Sequence, residues 1–77
     1  MSEYQYLAVN LRRYRTDLRL TQAALAQRAE MSQWYVSHLE RGLRPSDPVY
    51  IRRLASALGV TEAALLRRAR RRVPVAA

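Results

Sequence analysis

The sequence predicts an all-α domain of five helices, and three observations lead to this prediction. The 77-residue chain contains only two glycines and three prolines, so few positions interrupt helix formation. Apolar residues recur at spacings of three and four, which is the period of an amphipathic helix. No segment sustains the alternation of apolar and polar residues that is typical of a half-buried strand. We therefore expect a small helical bundle around a single core.

Net charge indicates the class of partner. All 14 basic residues are arginine, and with six acidic residues they give a net charge of +8. Such an excess of positive charge attracts polyanions, and double-stranded nucleic acid is the partner that it favours. An anionic membrane surface is the alternative, but it requires a basic amphipathic helix with an exposed apolar face.

Other features of composition exclude several classes of protein. The chain has no cysteine, which excludes disulfides, thiolate metal sites and a cysteine nucleophile. One histidine and six scattered acidic residues provide neither a paired acid and base nor a metal cluster, so we expect no enzyme, no metal and no cofactor. The sequence contains no 18-residue apolar run and no signal-peptide pattern at its start. We expect a cytoplasmic protein that does not associate with membranes.

Capping residues and apolar periodicity together place the five helices. We expect them over residues 3–18, 22–29, 33–41, 48–58 and from residue 62 onwards. Each of the last four follows a residue that suits a helix N-cap, namely Thr21, Ser32, Asp47 and Thr61. Gly42 and Gly59 end the third and fourth helices. The residues expected to face the core are Leu7, Leu11, Leu18, Leu25, Ala29, Val36, Leu39, Ile51, Leu54, Ala55 and Leu58.

The second and third helices are separated by only about three residues, 30–32, which is the length of a helix-turn-helix turn. Ala26 lies in the middle of the second helix, where a small side chain lets the third helix approach. If Val36 and Leu39 face inward, helical spacing places a polar and aromatic set on the outer half of the third helix. This set is Gln33, Trp34, Ser37, His38 and Arg41. In a helix-turn-helix, that face enters the major groove of DNA.

The segments "LTQAALAQRAEMSQWYVSHLERG" and "RLASALGVTEAALL" resemble the helix-turn-helix domain of the lambdoid phage repressor and Cro family, also called the XRE family. The resemblance covers residues 11–66 and implies a lambda repressor-like five-helix bundle that binds DNA. We expect one domain over residues 1–72 and a short tail over residues 73–77. In "LLRRARRRV", we expect Arg67 and Arg68 to complement a helix dipole. For Arg70–Arg72, both this role and a basic arm on phosphate stay open.

The resemblance also implies roles for individual residues. Residues expected to contact bases are Gln33, Trp34, Ser37 and His38, and those expected to contact phosphates are Gln22, Tyr35, Arg41 and Arg44. Gln22 is further expected to brace Gln33, and Arg15 to form an ion pair with Glu40. Tyr35 is alternatively half-packed with only its hydroxyl outward, which is compatible with a phosphate contact. Two other roles have alternatives that exclude them. Trp34 is otherwise a core residue packed on the second helix, and His38 is otherwise a solvated helix residue.

Two positions depart from the family pattern. Where the family commonly has glycine, before the LTQ segment and in the turn between the second and third helices, this chain has Arg19 and Glu30. If the backbone is left-handed at either position, a residue other than glycine costs about 1–2 kcal/mol.

These observations predict a transcription regulator, a repressor that binds a pseudo-palindromic operator as a homodimer. The dimer interface is expected on the fifth helix, at Leu65, Leu66 and Ala69. Because Leu65 and Leu66 point about 100° apart on a helix, we expect only one of them to face the domain interior. The alternative is an antitoxin or adaptor of the same fold, whose main partner is a toxin or another protein.

Overall fold

The computed structural model describes residues 2–43 and 45–68. Five helices occur within these ranges: α1 (Glu3–Asp17), α2 (Gln22–Arg28), α3 (Gln33–Glu40), α4 (Pro48–Leu58) and α5 (Glu62–Leu66). The all-α, five-helix fold is therefore confirmed, with predicted helix ends that differ by at most one residue where an end was predicted. None of the described helices is long and apolar enough to cross a membrane.

The helix starts follow from local hydrogen bonds. The side chains of Thr21, Ser32 and Thr61 each accept a hydrogen bond from a backbone N–H in the first turn of the following helix, as predicted. Asp47 occupies the N-cap position of α4, but its side chain makes no capping hydrogen bond. Pro48 in the first turn lacks an N–H, so one of the donors to be satisfied there is absent.

All five helices contribute residues to one core. α1 packs against α3, α4 and α5, while α2 packs against α3 and α4. The core residues are Leu7, Leu11, Leu25, Ala26, Ala29, Val36, Leu39, Ile51, Leu54, Ala55, Leu58 and Leu65. The prediction that Leu18 joins this core is wrong, because its side chain is 48% exposed. α1 ends at Asp17, so Leu18 lies at the C-cap and not on the buried stripe.

Arg19 and Glu30 both have left-handed backbone, with φ values of 57° and 56°. Each follows the end of a helix, and in each turn the next backbone N–H bonds back to a carbonyl of the helix at 3.0 Å. This six-to-one hydrogen bond is that of a Schellman motif, which usually has glycine at the left-handed position. The two positions at which this chain lacks the glycine of the family therefore do have left-handed backbone.

Arginine side chains reinforce both of these turns. Arg15 Nη1 donates a hydrogen bond to the carbonyl of Leu20, directly after Arg19, at 2.7 Å. Arg53 Nη1 donates to the carbonyl of Glu30 at 3.3 Å. Hydrogen bonds from charged donors stabilise by about 1.5–3 kcal/mol when well formed, so the 2.7 Å bond from Arg15 is sufficient to offset the strain at Arg19. The 3.3 Å bond from the exposed Arg53 contributes less to the turn at Glu30.

Asn10 fixes the end of α5 against α1. Its side chain is 8% exposed, and its Nδ2 donates to the carbonyls of Leu65 at 2.8 Å and Arg67 at 2.7 Å. The Leu65 carbonyl lies in the last turn of α5 and Arg67 is its C-cap residue, and carbonyls at a helix C-terminus have no donor within the helix. Asn10 thus sets the position at which the chain leaves the bundle.

We expect Asn10→Ala to lower the free energy of unfolding by about 1–3 kcal/mol, because it leaves the buried carbonyl of Leu65 without this donor. Denaturant titration measures this loss. Thr16→Ala is the matched control on the same helix, since its hydroxyl donates to the carbonyl of Arg13 at an exposed position. A loss no larger than that of Thr16→Ala, which we expect within about 0.5 kcal/mol of wild type, would contradict the role of Asn10.

Several predictions concern residues outside the described ranges. They are the phosphate contact of Arg44, the dimer contact of Ala69, the two roles considered for Arg70–Arg72 and the domain boundary after residue 72. They stay predictions.

Candidate nucleic-acid interface

The turn between α2 and α3 presents α3 on the surface. Four residues, 29–32, connect the two helices, and Ala26 on α2 is buried at 3% exposure. On α3, Val36 and Leu39 are the inward anchors, at 0% and 1% exposure. With these two residues in the core, the opposite side of α3 faces solvent.

This outward side carries the predicted set of polar and aromatic residues. Gln33 and Arg41 are exposed, while Ser37 and His38 are half-buried. Trp34 is 60% exposed, so the alternative that it is a core residue is wrong. The exposed face of α3, which we define as Gln33, Trp34, Ser37, His38 and Arg41, thus combines hydrogen-bonding groups, one cation and one large ring.

Trp34 and His38 form a stacked pair on this face. Their ring centroids lie 4.4 Å apart and their planes differ by 25°. Residues four apart on a helix are neighbours along its surface, which explains how the two rings meet. His38 is therefore not merely a solvated residue, because one side of its imidazole is covered by the indole.

The predicted ion pair between Arg15 and Glu40 is present beneath α3. Arg15 Nε donates to Glu40 Oε2 at 2.6 Å, and Arg15 Nη2 donates to Glu40 Oε1 at 2.9 Å. The two side chains are only 13% and 5% exposed. The hydrogen bond to Glu40 raises the pKa of Arg15 above its ordinary value, although burial opposes this rise. This bidentate pair ties the last turn of α3 to α1.

Gln22 joins the same network. Its Nε2 donates to Glu40 Oε1 at 3.2 Å. The resemblance implied that Gln22 braces Gln33, but the hydrogen bond observed is to Glu40. Arg15 also reaches the carbonyl of Leu20 in the turn before α2. One carboxylate and one guanidinium therefore set the relative positions of α1, α2 and α3.

Tyr35 links α3 to α4, a contact that the sequence did not reveal. Its half-buried ring lies 4.6 Å from the ring of Tyr50, measured between centroids, and its hydroxyl oxygen is 3.4 Å from Ser46 Oγ. The guanidinium of Arg53 lies 5.7 Å from the Tyr50 ring centroid. The only sequence signal was that Tyr35 and Tyr50 each directly precede a buried anchor residue.

Comparison with known proteins assigns this arrangement of helices. A family profile described as a helix-turn-helix domain matches residues 7–69 of the 77-residue chain. The chain belongs to the helix-turn-helix family. No curated protein matches the sequence significantly.

Solved structures of helix-turn-helix proteins resemble the chain along most of its length. A hypothetical transcription factor from Neisseria is 32% identical, with a TM-score of 0.80 over 84% of this chain and 75% of that one. The restriction-modification controller protein of Aeromonas hydrophila is also 32% identical, with a TM-score of 0.78 over 84% of this chain and 98% of that one. The clp gene regulator of Corynebacterium glutamicum is 30% identical, with a TM-score of 0.80 over 86% of this chain and 70% of that one.

These matches confirm the resemblance to the lambdoid repressor and Cro (XRE) type. The 77-residue protein is therefore a DNA-binding transcription regulator of this type. This class of protein is without enzymatic activity. Within it, α2 and α3 form the helix-turn-helix, and α3 stands in the position of the recognition helix.

Proposed function

We propose that this regulator is a repressor that binds a pseudo-palindromic operator as a homodimer and reads its sequence in the major groove with the exposed face of α3. The observation that carries the proposal is the outward position of Gln33 and Trp34 at the start of α3, opposite the buried anchors Val36 and Leu39. The N-terminal residues of a recognition helix are those that reach base edges.

The exposed face divides into groups that read bases and groups that position the domain. Gln33 can form two hydrogen bonds with the adenine edge, while Ser37 suits either base type. His38 and Trp34 lie beside them on the same face. Arg41, at the C-cap of α3, is suited to the phosphate backbone, together with Gln22, Tyr35 and Arg44. Phosphate contacts fix the register of a protein on DNA but carry no direct sequence information.

This division predicts different effects for two substitutions. We expect Gln33→Ala to weaken binding to the operator by about 1–3 kcal/mol, while binding to random DNA is unchanged. We expect Arg41→Ala to weaken binding to both. Both residues are exposed, so neither change should disturb the core.

The measurement is the affinity of each variant for an operator duplex and for a scrambled duplex at one fixed salt concentration. Equal losses on both duplexes for Gln33→Ala, or an operator-only loss for Arg41→Ala, would contradict the division into reading and positioning groups.

Two-fold symmetry follows from the size of the site. One recognition helix covers a few base pairs, too few to select a site among about 10⁶–10⁹ competitors. In dimers of this motif, two recognition helices lie one DNA turn apart, about 34–36 Å. Leu65 is fully buried in the core, whereas Leu66 is half-buried on α5. Because Leu65 has no exposed surface, the prediction that it forms part of the dimer contact is wrong, and we assign the contact to Leu66, and with it Ala69. The exposed Arg67 and Arg68 repel across the two-fold axis, which makes the free dimer weak.

We expect Leu66→Arg to abolish dimerisation and cooperative operator binding, because it adds two charges to an apolar contact. Ala63→Arg is the matched control on the same helix, where the side chain is exposed. Sedimentation on an operator duplex counts the protomers, and circular dichroism verifies that each variant is folded. A single wild-type protomer per full operator, or unchanged stoichiometry and affinity in folded Leu66→Arg, would contradict the dimer.

A further inference from the structure

The Trp34 ring occupies an unusual position for so large an apolar group. Tryptophan is highly buried on average, yet this ring is 60% exposed at the second residue of α3. Gln33 precedes it and is exposed as well. If α3 enters the major groove, this position at the N-terminal end of the helix brings the ring to the base edges, where its contribution depends on an apolar group being there.

The stack on His38 favours one orientation of the Trp34 ring. With the centroids 4.4 Å apart and the planes 25° from parallel, the imidazole supports one face of the indole. A side chain that is ordered before binding loses less conformational entropy when it binds. The pair therefore presents a fixed apolar plate, which suits a small and precisely placed group better than a variable surface.

The major groove of DNA presents one apolar group, the methyl at C5 of thymine, among otherwise polar base edges. A methyl at the same position of cytosine would present the same surface. We propose that the stacked Trp34–His38 pair is a recognition site for the C5-methyl group of a pyrimidine. The proposal rests on the proposed function, because it requires α3 to lie in the major groove.

The neighbouring residue fits this assignment. Gln33 has the amide geometry that pairs with adenine, and the thymine opposite that adenine carries its methyl in the same groove. Adjacent residues at the start of α3 therefore offer complementary groups to a site that contains A·T pairs: an amide for the adenine edge and an apolar plate for the methyl.

Replacement of thymine by deoxyuridine tests the proposal, since it removes the methyl and leaves base pairing intact. We first select an operator from a random duplex pool and then replace each thymine of one half-site in turn. We expect an approximately fourfold loss of affinity at one position, the equivalent of about 0.8 kcal/mol for one buried methyl. A second arm replaces each cytosine by 5-methylcytosine and distinguishes the two sources of the methyl group.

Variants separate a methyl contact from an effect of the methyl on DNA shape. In Trp34→Ala, the thymine and deoxyuridine duplexes should bind equally well, whereas Arg41→Ala should bind both more weakly and keep the fourfold difference. Trp34→Phe, which retains an aromatic ring, should keep part of the difference in affinity between the thymine and deoxyuridine duplexes. Trp34 is the single tryptophan of the chain, so protection of its fluorescence from acrylamide by the operator reports the contact directly.

The outcomes distinguish this proposal from the proposed function. If a sequence is selected but no methyl is sensed in either arm, or if the difference persists in Trp34→Ala, the methyl site is wrong and the operator-binding function stands. If a gain appears only with 5-methylcytosine and disappears in Trp34→Ala, the site is present and its ligand is methylated cytosine. If no sequence is enriched at all, the proposed function itself fails.

Discussion

An increase in salt from about 50 to 200 mM is expected to weaken operator binding by roughly 10³–10⁵-fold, if a dimer contacts about 6–10 phosphates. Each contact between an arginine and a phosphate releases condensed counterions, and salt opposes this release. All described arginines except Arg15 are exposed: Arg12, Arg13, Arg19, Arg28, Arg41, Arg52, Arg53, Arg67 and Arg68. Arg15 is held by Glu40. The surface therefore has ample positive charge for this effect.

The measurement is a plot of the logarithm of the affinity against the logarithm of the salt concentration. Arg41→Ala is the informative variant, because removal of one phosphate contact should reduce the slope by about one for each protomer. Gln33→Ala should leave the slope unchanged. A flat response of the wild type would contradict the electrostatic basis of binding.

Glu40→Ala is expected to lower the free energy of unfolding by up to about 3–5 kcal/mol, the loss for a fully buried pair. The substitution leaves Arg15 as a nearly buried cation without its partner, and an uncompensated buried charge is strongly destabilising. It also removes the acceptor of Gln22. The pKa of Arg15 is raised from an already high value, so Arg15 is charged at every pH below it. The stabilisation by the Arg15–Glu40 pair would therefore be lost through deprotonation of Arg15 only in strong alkali. The deficit should therefore not change between about pH 7 and pH 10.

An exposed ion pair of the same chain supplies the control. Arg52 Nε lies 3.3 Å from Glu62 Oε1, with side chains 80% and 50% exposed. Exposed pairs contribute roughly 0–1 kcal/mol, so Glu62→Ala should lower the free energy of unfolding by no more than about 1 kcal/mol. Denaturant titration compares the two variants. Similar small losses for Glu40→Ala and Glu62→Ala would show that the Arg15–Glu40 pair does not hold α3 in place.

The sequence predicted the helices well because their signals are local. The capping role of Thr21, Ser32 and Thr61 depends on residues only three positions away. Periodicity likewise identified Val36 and Leu39, and with them the outward face of α3. Leu18 was misplaced because spacing cannot reveal that α1 ends one residue earlier.

Contacts between distant segments were harder to predict. Asn10 bonds across 55 residues to the carbonyl of Leu65, and its position between Leu7 and Leu11 on α1 was the only sequence signal. The hydrogen bond from Arg53 to the turn at Glu30 has no local signature at all. The Arg15–Glu40 pair was predicted through the resemblance to the family, since composition and periodicity do not specify which charges meet.

The central claim is that the exposed face of α3 reads DNA sequence, and selection from a random duplex pool tests it most directly. The wild type is compared with a triple variant, Gln33→Ala, Trp34→Ala and His38→Ala, whose replaced side chains lie outside the core. We predict that the wild type enriches a pseudo-palindrome with half-sites about 10–10.5 base pairs apart, and that the triple variant binds DNA without enriching it. Enrichment of the same sequence by both proteins, or of none by the wild type, would contradict the claim.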